Sequence, residues 1–181
     1  MKNEPIIAAV RHWVESFVVE LNLCPFAKRE LLKERVRFVS TPAASEEALL
    51  VALQEELLLM EADASIETTL LIHAQVLQDF YDFNDFLDIA DRLLVQMGLD
   101  GVYQIASFHP DYQFGGTQPD DAENYTNRSP YPVLHILRED SLEHAIAGYP
   151  DVDDIPERNI ALMNELGRDK LQALWAGIVK E

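Results

Sequence analysis

The segment ETTLLIHAQVLQDFYDFNDFLDIADRLLVQMGLDGVYQIASF, Glu67 to Phe108, decides the fold. Glu67 to Ala74, rich in β-branched residues and leucine, is expected to be a strand, and Val102 to Phe108 is read as another. Between them Phe83, Phe86, Leu87, Ala90, Leu93, Leu94 and Met97 recur at three- and four-residue steps, the spacing of one helical face that Gly98 ends. Asp79, Asp82, Asp85, Asp88 and Asp91 follow a strict step of three. A helix turns about 100° per residue, so such steps walk around the cylinder, and these acids read as an N-cap, first-turn charges and solvated positions.

Toward the N-terminus the same alternation continues. Arg35 to Ser40 alternates polar and apolar residues as a half-buried strand does, and Glu46 to Met60 carries Leu49, Ala52, Leu53, Leu57 and Met60 on one stripe. Strand, helix, strand, helix, strand in that order predicts an α/β chain, or α+β if it holds an antiparallel pair. The expectation is a single domain over residues 1–181, with a small parallel or mixed sheet of three to four strands covered by helices. An N-terminal helical extension comes from Pro5 to Leu21, broken at Leu23-Cys24-Pro25-Phe26 and resumed from Ala27 to Lys33. Beyond Phe108, Val133 to Leu137 fits either a buried strand or a helix. Helix is favoured, because Ser129-Pro130 suits an N-cap and first turn, and Leu134, Leu137, Leu142, Ala145 and Ile146 then share a face. Arg158 to Val179 reads as a helical C-terminus with a break near Gly167.

Composition narrows the function classes. A hydrophobic share of 48% and a charged share of 25% suit a soluble globular chain, and 14 Lys and Arg against 32 Asp and Glu give a net charge of -18. That field repels phosphate backbones and anionic bilayers, so neither nucleic acid nor membrane is an expected partner. The lone Cys24 allows no intramolecular disulfide, and the N-terminus lacks a signal-peptide pattern, so a cytoplasmic setting is expected.

Chemistry concentrates between Ile105 and Arg138, which holds His109, His135, the Gly115-Gly116 pair and the run Asn127-Arg128-Ser129-Pro130. His109 would leave the carboxyl end of a strand, where open α/β sheets bind ligands, with Asp111 orienting it as an acid or base. If Ser129 starts a helix, its free N–H groups and the neighbouring Arg128 and Asn127 would hold a small anionic metabolite bearing phosphate or carboxylate, with His135 nearby. A metal set from His109, Asp111 and His135, with Asp120 or Asp121, is the alternative, although the spacing matches no metal motif. Cys24 beside a helix start is a third candidate, as a thiol nucleophile. A non-catalytic interaction domain is the rival class, and no cofactor follows from these residues.

Three separated strings carry a resemblance: Asn22-Leu23-Cys24-Pro25-Phe26-Ala27, Ser107-Phe108-His109-Pro110, and Thr126-Asn127-Arg128-Ser129-Pro130-Tyr131-Pro132 followed by Leu134-His135 and Leu137-Arg138-Glu139. In this order they resemble the uncharacterised bacterial family called domain of unknown function 1415, over nearly the whole chain. The resemblance implies a bacterial domain and brings no activity or catalytic residue with it.

Overall fold

In the computed structural model, which describes residues 3–180, four strands form one mixed sheet: β1 (Val36–Ser40), β2 (Thr68–Ile72), β3 (Tyr103–Phe108) and β4 (Val133–Arg138). Their spatial order is β1-β2-β4-β3, with β1 parallel to β2 and β4 antiparallel to both of its neighbours. The expected strand–helix alternation is present, with α3 (Glu46–Ala62) between β1 and β2 and α4 (Phe80–Gln96) between β2 and β3. Ser45 caps α3 through Ala48 N–H, and Asp79 caps α4 through the N–H groups of Tyr81 and Asp82.

The stretch favoured as a helix from Ser129 onward is instead β4, with helix α5 (Glu139–Ala147) only after it. The reason lies in its position. As a central strand β4 is covered on both faces, Leu134 and Ile136 in one core and Val133 in the other, so an apolar run interrupted only by His135 satisfies a period of two. Leu134 and Leu137, placed on one helical face by sequence, therefore belong to opposite faces of the sheet.

Each face has its own core. Leu71, Leu134, Ile136 and Tyr103 meet α3 and α4 through Leu53, Leu57, Phe83 and Phe86. On the opposite face Leu70, Ile72 and Val133 meet the chain termini. There α1 (Glu4–Trp13) runs on as a π-helical segment, Val14–Val19, and α2 (Ala27–Leu32), α6 (Ile155–Leu166) and α7 (Arg168–Lys180) complete the layer. Trp13 and Phe17 from the first, Met163 from α6 and Leu171 from α7 are buried there. Among the described residues no helix is long and apolar enough to cross a membrane.

Candidate functional site

Strand register builds the floor of the site. On the face toward the termini, Phe38, Leu70, His135 and Ala106 stand side by side across the four strands. Thr68 lies on the same face one step along, since alternate residues of a strand point the same way. The N-terminal layer does not close fully over this row. It leaves a cavity of about 400 Å3 between the sheet, the π-helical segment, the Leu23 to Ala27 turn, α2 and α5. Trp13, Val14, Val18 and Leu23 form one wall, Leu142 and Ala145 of α5 another, and Phe108 with Leu70 the apolar part of the floor. The size falls within the roughly 300–1,000 Å3 usual for small-molecule pockets.

The polar groups are few. Thr68 Oγ1 donates its single proton to the carbonyl of Ile136 at 2.6 Å. At its 2.8 Å contact with His135 Nε2 it must therefore accept, which fixes His135 in the Nε2–H tautomer. Nδ1 then carries the lone pair. Among the described residues no group bonds it, and it is not one of the buried unpaired atoms, so it keeps access to the cavity. Burial lowers the His135 pKa to about 4, so the ring is neutral at physiological pH. Thr126, Asn127, Ser141 and Asn159 also line the space, and Asn159 donates to the Leu23 carbonyl at 2.9 Å to hold the turn.

Cys24 stands at the mouth, where it keeps solvent access. Enough protein surrounds the sulfur that burial pushes the thiol up from its ordinary value, and the N–H groups of Phe26 and Ala27 offset this only in part. Charges at the rim are mutually occupied. Arg35 pairs with Glu67 and lies 3.7 Å from Glu30. Arg138 gives its guanidinium to the carbonyls of Met60, Asp63 and Ile66 and to the Tyr103 hydroxyl.

The other residues singled out by sequence stand elsewhere and have their polar atoms engaged. His109 is buried at the end of β3, among Phe80 and Phe83 on the opposite side of the sheet from His135. Its Nε2–H donates to the Leu77 carbonyl at 3.1 Å, and its Nδ1 accepts the backbone N–H of Asp111 at 3.0 Å. Asp111 thus meets the ring through its backbone, and both ring nitrogens are spent pinning two loops. Leu77 adopts φ 58°, an uncommon left-handed conformation for leucine that this bond helps to hold.

Arg128 is likewise satisfied. It donates from Nε to the Tyr112 carbonyl at 3.1 Å and from a terminal nitrogen to the Pro119 carbonyl at 2.8 Å, and it stacks on Tyr125. Ser129 is buried and begins no helix, so the expected anion site at a helix N-terminus is absent. Its hydroxyl donates to Tyr131 across a tight turn. Asn127 joins the cavity wall, and Gly116, at φ 79°, shapes the outer turn of the loop. His109, Asp111 and His135 do not gather around one point, and among the described residues no three His, Cys, Asp or Glu side chains form a metal-sized cluster.

Of the residues singled out by sequence, Cys24, Asn127 and His135 line this cavity. Thr68, Ser141 and Asn159 gave no local signal, because only the pairing of β2 with β4 and the return of α5 and α6 bring them together. A second depression, open and mixed in charge, lies at Asp91, Asp100 and Glu139. Burial and the neighbouring Asp88 and Asp100 raise the Asp91 pKa there.

A family model described as a protein of unknown function (DUF1415) matches residues 5–173. The chain belongs to this family. The match takes in every strand of the sheet and every residue that lines the cavity. No curated protein and no solved structure matches the chain significantly.

Proposed function

We propose that this family member binds a small, largely apolar molecule in the cavity on the terminal face of the sheet. The observation that carries the reading is a predominantly apolar space whose floor presents one oriented acceptor, His135 Nδ1. Apolar walls supply affinity in proportion to the area they cover, and a few fixed polar groups set orientation. A ring held at about 4 is a poor proton acceptor at neutral pH but a good hydrogen-bond acceptor, so the reading is one of binding and orientation. It replaces the small anionic metabolite expected from Arg128 and Ser129. A cytoplasmic, bacterial setting without nucleic-acid or membrane partners remains part of the proposal, on the strength of the charge of -18 and the lone cysteine.

The test uses space itself. Ala106 lies beside His135 on the floor, and Ala106→Leu would fill the cavity with apolar atoms. Six- to eight-carbon amphiphiles, titrated while following tryptophan fluorescence, should bind the wild type through contact near Trp13 and should bind the folded variant at least tenfold more weakly, a change of about 1.4 kcal/mol. Equal binding by both proteins, or none by the wild type, would remove the reading.

A further inference from the structure

Resting on that reading, we propose that the cavity selects a ligand whose polar end is an uncharged hydrogen-bond donor, an alcohol or a phenol, over one ending in a carbonyl or a carboxylate. Thr68 has one hydroxyl proton and gives it to Ile136, and the single N–H of His135 is given to Thr68. Nothing on the floor at this point can donate to a ligand. His135 Nδ1 can only accept, and a carbonyl oxygen placed there would meet lone pair against lone pair.

The remaining polar groups do not reverse this choice. The hydroxyls of Thr126 and Ser141 rotate, and the amides of Asn127 and Asn159 carry both donor and acceptor and already give an N–H to the Ser107 and Leu23 carbonyls, so these groups tolerate either class of ligand. An anion fares worse still. Of the charged side chains around the cavity, Glu30 and Glu67 are acidic, and the guanidinium of Arg138 is already spent on three carbonyls and the Tyr103 hydroxyl. Glu30 Oε2 and Trp13 Nε1, one acceptor and one donor, are both sealed beneath the cavity surface, so neither meets the ligand. Leaving a carboxylate desolvated beside these groups is costly. The apolar body of the ligand would lie along Phe108, Leu70 and Leu142.

The experiment compares 1-hexanol, 2-hexanone and hexanoate by calorimetric titration at pH 7, with wild-type protein and with His135→Leu. Chain length is constant, so the series isolates the end group. Hexanol should bind roughly five- to tenfold more tightly than hexanone, the size of one net hydrogen bond, and hexanoate should be the weakest. His135→Leu, which keeps an apolar side chain on the floor, should bind hexanol and hexanone alike. Should the variant fail to fold, the ranking of the three compounds on wild-type protein decides the matter alone. Equal binding of hexanol and hexanone, or a preference for hexanoate, overturns this inference and leaves the cavity reading standing. Binding of none of the three overturns both.

Discussion

Lowering the pH from 7 to 5 should destabilise the protein before most of its carboxylates protonate. Burial holds His73 and His135 at about 4 in the native state, against an ordinary value of 6.5. Between those values the unfolded chain binds more protons than the native one, so stability rises with pH. It is complete above about pH 6.5 and lost as the pH falls, at up to about 1.4 kcal/mol per unit for each group, until the folded pKa is reached near 4. From pH 7 to 5 each ring therefore costs about 2 kcal/mol, and the two together about 4 kcal/mol, a large share of the 5–15 kcal/mol typical of a domain. His109, also lowered chiefly by burial, acts in the same direction. Asp91 acts oppositely, but it lies at the surface and is screened.

His73 should contribute most reliably. Its Nδ1–H donates to the Val76 carbonyl at 3.0 Å, while its Nε2 is buried with no partner among the described residues, so a second proton would have nowhere to bond. Urea unfolding at half-unit pH intervals and constant ionic strength, followed by circular dichroism, measures the slope. His73→Asn and His135→Gln should each remove about half of the loss attributed to the two rings. Wild-type protein as stable at pH 5 as at pH 7, or a slope unchanged in both variants, would show that the two rings do not set the pH dependence.

Arg128→Ala should cost roughly 1–3 kcal/mol in urea unfolding, because it strips a charged donor from two carbonyls, and lysine should not restore the loss; an unchanged midpoint would return Arg128 to the ligand-binding candidates. Thr68→Val should cost roughly 1–3 kcal/mol by leaving His135 Nε2 and the Ile136 carbonyl without their partner, and equal stability would contradict the proton assignment. Cys24 should react with iodoacetamide at pH 7 more slowly than the same cysteine in the urea-unfolded chain, since burial raises its pKa; a faster rate in the native state would revive a thiol nucleophile.

The limits of the sequence reading follow from which information is local. Helix α4 and its cap were legible because Asp79, Phe83, Phe86, Ala90 and Leu94 lie within one element and repeat with its own period. Strand β4 was not, because its two-sided burial depends on β2 and β3, which lie 60 and 25 or more residues away in the chain. The error carried into the site. Reading Ser129 as a helix start made Arg128 an anion anchor, whereas in a strand the same segment projects His135 to one face and gives Arg128 to the preceding loop. His109 stood out as an ionisable residue at a strand end, but nothing local could show that Leu77 and Asp111 would occupy both of its nitrogens.

The most direct test of the central claim is the side-chain nitrogen spectrum of His135 at pH 7, recorded with 15N-labelled protein before and after adding 1-hexanol and assigned with His135→Gln. A neutral ring protonated at Nε2, with an Nδ1 resonance that shifts upfield as the alcohol binds, is the predicted result. A charged ring, a proton on Nδ1, or an Nδ1 resonance indifferent to saturating alcohol would contradict it.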